Sequence, residues 1–282
     1  MAIVVNTNLS ALTVQRNLYN TTSALSKSMR NLSTGIRINS AGDDAAGLSL
    51  STKLSSAISA SDVAKSNAQT AINMLQTAES DLAVISDNLQ RMRDLAVQSA
   101  NGVYSSSERA AINAEYMDRM EEIDRVAQSS RFSDLFLLDG SMTGVDIQIG
   151  TDSTAQSRID ISSAFQGVST TALGVTTGTA VSDSTISTAT DARTALDTLD
   201  SALNTISEKR SEYGATINRL TASVSRTDIR KENLAASNSV IKDTDIAAET
   251  ANLTKQQILQ QTATTLLKQA NQAGSLAITL LQ

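Results

Sequence analysis

The chain has 282 residues and a formal net charge of −6, and it contains no proline, cysteine, tryptophan or histidine. Without histidine and cysteine it cannot form the common zinc sites, a Ser-His-Asp or Cys-His catalytic system or a thiol redox centre, and without a basic excess it is not expected to bind nucleic acid. Aromatic residues make up only 2% of the chain, so we expect a core of aliphatic side chains.

The first predicted element is a helix over residues 6–34. Average usage would place roughly 14 prolines in a chain of this length, and their absence favours long helices without kinks or stops. The residues before this helix have neither the basic nor the apolar run of a cleaved signal peptide, and no run of 18 apolar residues predicts a membrane span. The apolar stripe of the helix consists of Leu9, Val14, Leu18, Leu25, Met29 and Leu32.

A long helix is predicted next, because two seams of small and aliphatic residues repeat every seven positions. Such a repeat, kept over about six heptads, is the criterion for a coiled coil. One seam consists of Leu54, Ser61, Ala68, Leu75, Leu82, Leu89 and Ala96, and the other of Ala57, Ala64, Ala71, Ala78, Ile85 and Met92. Alone, each seam is equally typical of an ordinary helical bundle.

The middle of the chain changes character after Asn101-Gly102, which ends the long helix. Ser105 and Glu108 form a capping box that begins another helix, and alternating residues predict short strands at 145–149 and 158–161. Residues 166–190 are rich in Thr, Ser and Gly, and we interpret them as a solvated, mobile surface segment.

The C-terminal third again shows helical periodicity. One heptad seam consists of Leu196, Leu203, Arg210, Ile217, Val224 and Lys231, and its companion of Leu199, Ile206, Tyr213, Leu220, Thr227, Leu234 and Ile241. A terminal stripe follows with Ile246, Leu253, Ile258, Ala263, Leu267, Ala270 and Leu281. Since a helix gains most of its stability by packing its apolar face, the two terminal stripes must meet each other or another chain.

Seven ordered motifs at the two ends of the chain resemble those of bacterial flagellin, the subunit of the flagellar filament. They are NTNLSAL from Asn6, LSTGIRINSAGDDAAGL from Leu32, LQRMRDLAVQSAN from Leu89, EEIDRV from Glu121, KRSEYGATINRL from Lys209, and QQILQQ from Gln256 followed by QANQ from Gln269. Ser133-Asp134 stands where flagellins commonly have Asn-Gly, and Asp94 replaces a more usual Glu. About 50 residues separate the matching halves, so the chain resembles a minimal flagellin without outer variable domains.

The resemblance implies a mostly α fold, a long antiparallel coiled coil or helical bundle with a small β-hairpin region. Residues 1–45 and 244–282 would form a terminal coiled-coil domain of the inner tube. Residues 46–243 would form a helical rod domain, with the hairpin and loop region at about 141–190. Gly35 and Gly42 would interrupt the helix between these domains, and Asp43-Asp44 would cap the next helix rather than bind a metal.

The resemblance also implies a function without catalysis, cofactor or metal: self-assembly into the extracellular filament that drives swimming motility. Implied partners are further copies of the chain, an export chaperone and the type III export apparatus, and the filament cap and hook-junction proteins. Neither nucleic acid nor membrane is an expected partner. Open helical polymers arise from head-to-tail contacts that do not close into a ring.

Two sets of site residues follow from the resemblance. The apolar stripes of the terminal helices are expected to mediate assembly through Leu9, Leu18, Leu25, Leu32, Leu253, Ile258, Leu267 and Leu281. A second surface would pack laterally in the filament and, on the free monomer, would be recognised by vertebrate Toll-like receptor 5. Its matching positions are Gln90, Arg91, Leu95 and Glu115.

Three alternatives belong to other classes of protein. A hook-filament junction protein would share the terminal helices but would not form the long filament. An embedded metallopeptidase would need a His-Glu-x-x-His motif, and the chain contains no histidine. A generic coiled-coil scaffold would explain the heptads but not the ordered motifs.

Overall fold

The computed structural model describes residues 7–176 and 185–279. Its secondary structure is dominated by five helices, α1 (Leu9–Thr34), α2 (Ala45–Ala100), α3 (Ser106–Ser129), α4 (Ala189–Lys242) and α5 (Ile246–Thr279). Two small antiparallel hairpins join β1 (Arg131–Phe132) to β2 (Leu135–Phe136) and β3 (Asp146–Gln148) to β4 (Arg158–Asp160). The predicted mostly α fold with a small β-hairpin region is therefore confirmed.

The chain divides into two compact units. Unit 1 contains Met1–Ser56 and Asn233–Gln282, and unit 2 contains Ala57–Glu232. The boundaries of both units fall inside α2 and α4 rather than at the helix ends. No helix in the described part of the chain is both long and apolar enough to span a membrane.

The core of unit 2 is built on the heptad seams of α2 and α4. Every member of the α2 seams from Ala64 to Ala96 is buried, as are Leu199, Ile206, Tyr213 and Leu220 of α4. α3 contributes Ile112, Tyr116, Met120 and Ile123 to the same core. The many alanines of the α2 seam allow close approach of the neighbouring helices, and the leucines supply apolar burial of about 1.5–3 kcal/mol each.

Two turns follow directly from local residue chemistry. Ser105 and Glu108 form the predicted capping box at the start of α3, where the hydroxyl of Ser105 accepts from the backbone N–H of Glu108 and the Glu108 carboxylate accepts from the Ser105 N–H at 2.7 Å. Ser133, between β1 and β2, has a φ of 55°, in the left-handed region that costs a non-glycine residue about 1–2 kcal/mol. The β1–β2 hairpin was not predicted, because two-residue strands are too short to show alternation.

The prediction that residues 166–190 form a solvated segment is wrong for the part that the structure describes. Val168, Leu173, Val175 and Ile186 are buried in the core of unit 2. The backbone around them is held by polar side chains: Asp124 accepts from the N–H of Thr170 at 2.7 Å, and Asn113 accepts from the N–H of Ile186 at 2.8 Å. A few well-spaced aliphatic residues thus anchor a segment whose average composition is polar. Residues 177–184 lie outside the described residues.

The connector of unit 1 joins α1 to α2 and contacts the turn between α4 and α5. Gly35 ends α1 with a φ of 70°, and its carbonyl accepts from the N–H of Thr244 at 2.9 Å. The N–H of Arg37 donates to the carbonyl of Lys242 at 2.7 Å. Asp44 accepts from the N–H of Gly47 at 2.9 Å and so caps the first turn of α2, as predicted.

Candidate functional site

The terminal helices α1 and α5 pair in unit 1. Their direction is antiparallel, because the side-chain amide of Asn8 donates to the carbonyl of Ala270 at 2.8 Å and that of Gln260 donates to the hydroxyl of Thr22 at 3.4 Å. Asn8 also accepts from the N–H of Ala11 at 3.0 Å and thereby caps α1. One residue therefore fixes both the beginning of α1 and its position along α5.

The inner face of this helix pair contains five of the eight predicted assembly residues. Leu18, Leu25 and Leu32 of α1 and Leu253 and Leu267 of α5 are partly buried. They repeat at seven-residue steps along α1 and at a fourteen-residue step along α5, which keeps each set on one side of its helix. These residues join the two ends of one chain to each other.

The outer faces of the two helices lie on opposite sides of the pair, and they contain Leu9 on α1 and Ile258 on α5. Sequence reasoning had grouped both residues with the inner ones. Leu9 is 72% exposed and Ile258 is 58% exposed. Nine residues separate Leu9 from Leu18, and this spacing is two and a half helical turns, so the two side chains lie on opposite sides of α1. Leu281 lies outside the described residues.

Further large apolar residues share the outer face and were not assigned to it from the sequence. On α1, Leu12 is 54% and Tyr19 is 75% exposed; on α5, Leu259 and Leu266 are 43% and 47% exposed. The positions 9, 12, 16 and 19 form a second heptad-like row, offset from the inner row by two residues. This second row was the signal in the sequence that could have identified the outer face.

The outer row of α1 also carries positive charge. Arg16 lies seven residues after Leu9 and Arg30 fourteen residues after Arg16, so both continue the row of Leu9, Leu12 and Tyr19. Residues 1–42 contain four basic residues and no acidic residue. The outer face of α1 is thus a mixed apolar and basic surface, in contrast to its neutral inner face.

The second predicted surface lies where α2 and α3 run side by side. Arg91 donates from Nε to Oε1 of Glu115 at 2.8 Å, and its Nη2 lies 2.8 Å from the same oxygen in an ion pair. Arg119 approaches this oxygen at 3.9 Å. Gln90 is exposed beside Arg91. The structure therefore brings three of the four predicted residues to one surface.

Leu95 does not belong to that surface. Its side chain is only 2% exposed and is part of the core of unit 2. It follows the buried Met92 by three residues, a spacing that keeps both on the inner side of α2. The prediction of Leu95 as a surface contact is corrected accordingly: its role in the described structure is to support the helix that presents Arg91.

Two family profiles match most of the chain. The bacterial flagellin N-terminal helical region matches residues 5–143, and the bacterial flagellin C-terminal helical region matches residues 196–281. Together the two matches contain all of α1–α3 and α5 and nearly all of α4. The unmatched middle contains the β3–β4 hairpin and the segment that follows it.

Curated relatives are similar over nearly the full chain. The flagellar filament 33 kDa core protein of Treponema phagedenis is 40% identical over 294 residues, which cover 99% of this chain and 100% of the relative. The flagellin of Halalkalibacterium halodurans is 38% identical over 280 residues, with the same coverage. These relatives do not support the alternative of a hook-filament junction protein.

A solved structure shows the same fold at lower identity. A protein described as a flagellar hook-associated protein from Vibrio parahaemolyticus superposes with a TM-score of 0.55 at 16% identity. The superposition covers 71% of this chain and 99% of that one. At this identity the likeness concerns the fold alone.

Proposed function

Because this chain belongs to the bacterial flagellin family, we propose that it polymerises by burying the outer face of its paired terminal helices against neighbouring copies. Flagellins are structural proteins, and this chain is a subunit of the extracellular flagellar filament used for swimming motility. It is a minimal form that lacks the hypervariable domain of larger members.

The observation that carries the assembly proposal is the exposed apolar row on α1 and α5. Leu9, Leu12 and Tyr19 on one helix and Ile258 and Leu266 on the other leave large aliphatic and aromatic surface in water. Exposed apolar rows of this kind, one on each helix, mark interaction sites in a soluble protein. Because the inner faces of the same helices already contact each other, the outer faces are left for neighbouring copies.

Assembly through this surface couples order at the chain ends to polymerisation. A two-helix pair has little core of its own, and helices gain most of their stability from tertiary packing. Binding to the growing tip stabilises the packed form by mass action. The free subunit therefore has ends that are less stable than unit 2, and the filament makes them stable.

The test replaces one outer residue without touching the inner seam. Ile258→Gln keeps a helix-compatible side chain of similar length but removes apolar burial of about 1.5–3 kcal/mol, so the critical concentration for polymerisation should rise at least tenfold. Gln257→Ala, at the adjacent exposed position, is the matched control and should polymerise normally. Sedimentation after seeding with filament fragments measures both; equal critical concentrations would contradict the proposal.

Export is proposed to follow the route of the family. The chain would leave the cell unfolded through the flagellar type III apparatus, with a cytoplasmic chaperone on its C-terminal helix. The exposed residues Ile258, Leu259 and Leu266 of α5 give such a chaperone an apolar surface to cover. The filament cap and the hook-junction proteins are proposed as the partners at the two ends of the polymer.

Recognition by Toll-like receptor 5 is proposed for the free monomer, at the surface of Gln90, Arg91 and Glu115. The paired Arg91 and Glu115 give this surface a fixed arrangement of charges. Arg91→Ala should therefore weaken receptor activation by monomer at least tenfold. Arg125→Ala removes another exposed ion-paired arginine of the same helix pair and is the control. Unchanged activation by the Arg91 variant in a reporter-cell assay would refute the assignment.

A further inference from the structure

Asn101 is the one asparagine of the chain that a glycine follows. An asparagine side chain can be attacked by the backbone nitrogen of the next residue, and glycine leaves that nitrogen unhindered because it has no Cβ. In the described part of the chain, only Asn8, Asn39 and Asn101 lie outside the helices, whose N–H groups are held in helical hydrogen bonds. Asn8 precedes the bulky Leu9. Sequence and fold together thus distinguish Asn101 from the other described asparagines.

The turn between α2 and α3 leaves the reacting groups of Asn101 available. Oδ1 of Asn101 accepts from the N–H of Val103 at 3.2 Å, and its backbone carbonyl accepts from Arg109 at 3.1 Å. Neither Nδ2 of Asn101 nor the N–H of Gly102 forms a hydrogen bond with a described residue. Val103 is 86% exposed, so the turn is open to water.

Asn39, in the connector between α1 and α2, has the opposite surroundings. Its Nδ2 donates to the carbonyl of Ile36 at 2.8 Å and to Oδ1 of Asn31 at 3.2 Å. The N–H of Ser40, which would have to attack, donates to the carboxylate of Asp43 at 3.1 Å. Ring closure here would break these three hydrogen bonds. In the α2–α3 turn neither reacting nitrogen has a hydrogen bond to lose.

We propose that Asn101 is a site of spontaneous deamidation, with the nitrogen of Gly102 as the nucleophile. This nitrogen forms a bond to Cγ of Asn101, the bond from Cγ to Nδ2 breaks, and ammonia leaves with the proton of the Gly102 nitrogen. Water then opens the cyclic imide. Its addition to Cγ gives aspartate, and its addition to the backbone carbonyl carbon gives isoaspartate. The net reaction consumes one water and releases one ammonia.

The folded turn promotes this ring closure. Negative charge develops on Oδ1 of Asn101 as Gly102 attacks, and the Val103 N–H, already 3.2 Å from that oxygen, stabilises the charge. A Cβ placed on Gly102 would meet no atom within 4 Å, so the backbone around the nitrogen has room to rotate into the ring. Folding therefore assists at Asn101 the same reaction that it hinders at Asn39.

The products change the turn and leave the core intact. Aspartate or isoaspartate adds one negative charge next to Arg109, and isoaspartate also inserts a methylene group into the main chain. Ala96 of α2 and Ile112 of α3, on either side of the turn, belong to the core of unit 2, so we expect unit 2 to stay folded. The reaction requires no polymer, and its test is independent of the proposed function.

The test compares two asparagines in one preparation. The full unpolymerised chain is incubated at mildly alkaline pH, either folded or unfolded in guanidinium chloride. Peptide mass spectrometry follows the conversion of Asn101 and Asn39, and labelling by an isoaspartyl methyltransferase identifies isoaspartate. Asn101 should convert at least as fast in the folded chain as in the unfolded chain, whereas folding should slow Asn39 about tenfold. Conversion of Asn101 that is slower in the folded chain would overturn the proposal.

Gly102→Ala tests the nucleophile. The φ of Gly102 lies outside the left-handed region and its surroundings are open, so alanine fits without strain. The added methyl group hinders the nitrogen, and conversion of Asn101 should slow about tenfold. Gly214→Ala of α4, another glycine with open surroundings, is the matched control and should leave the rate unchanged. Equal rates in Gly102→Ala and the wild type would refute the role of Gly102.

Discussion

Asp43 fixes the connector between α1 and α2 through a set of short contacts. Its carboxylate forms an ion pair with Lys27 of α1 at 2.8 Å and accepts from the N–H and the hydroxyl of Ser40 at 3.1 and 3.0 Å. The Lys27 ammonium, followed by the Ser40 hydroxyl, lowers the pKa of Asp43 from 3.8 to about 2. The sequence predicted that both Asp43 and Asp44 cap α2, but only Asp44 does so. Asp43 instead accepts from Ser40 and pairs with Lys27, a partner that the sequence did not predict.

We expect Asp43 to stabilise the chain only where it is ionised. A carboxylate with a lowered pKa contributes stability above its unfolded pKa, near 3.8, and loses that contribution as the pH falls through about 2. Asp43→Asn should therefore lower the melting temperature at pH 7, and the difference from the wild type should shrink between pH 4 and pH 2. Circular dichroism melts measure this, with Asp87→Asn of α2 as the control. A constant difference down to pH 2 would refute the role.

Two sequence predictions for single residues failed because they did not consider on which side of its helix each side chain lies. Leu9 was grouped with Leu18, although nine residues place them on opposite sides of α1. Leu95 was assigned to a surface from the motif around it, but its spacing from Met92 places it in the core. A resemblance identifies positions, whereas exposure depends on which side of the helix contacts its neighbours.

At the scale of elements, four ion pairs connect the antiparallel helices α2 and α4. From one end of α2 to the other they are Asp62–Lys231 at 2.6 Å, Lys65–Asp228 at 2.8 Å, Glu79–Arg210 at 2.9 Å and Arg93–Asp200 at 2.6 Å. If α4 shifted by three residues along α2, like charges would face each other. A shift in one direction would bring Lys65 opposite Lys231, and a shift in the other would bring Asp62 opposite Asp228. Where the α2 seam consists of alanine and serine, and so distinguishes registers weakly, these charges favour one register.

A charge exchange tests this role. Lys65→Asp should lower the free energy of unfolding by about 0.5–1 kcal/mol, because the pair is exposed and an exposed pair contributes little. Adding Asp228→Lys should restore most of the loss. Urea denaturation measures both, and the loss should diminish in high salt. Lys53→Asp, at an exposed position of the same helix, is the control; a double variant no more stable than Lys65→Asp would contradict the pairing.

The extents of the long helices were predictable from the sequence for physical reasons. Proline is absent, the seams keep a seven-residue step, and strong end signals at Gly35 and Ser105 mark the boundaries. Elements held mainly by long-range contacts were not predictable. The segment that contains Val168 and Leu173 reads as a solvated loop, because its anchors, Asp124 and the carbonyl of Leu138, are distant in sequence.

At the scale of the whole molecule, the chain contains no cysteine, histidine or proline, and its long helices pack through seams of mostly aliphatic residues. One row of α1 and of α5 joins the ends of the chain, and we propose that the other row contacts neighbouring chains. Unit 2 has a core of its own built from α2, α3 and α4. We therefore expect unit 2 to remain folded when the outer parts of the terminal helices are removed.

The most direct test of the assembly proposal compares the full chain with one that lacks residues 1–30 and 255–282. Both are seeded with filament fragments and imaged by electron microscopy, and circular dichroism confirms that the truncated chain retains the helices of unit 2. The full chain should extend the seeds into long filaments, and the truncated chain should remain monomeric. Filaments of normal length from the truncated chain would contradict the claim that the terminal helices carry assembly.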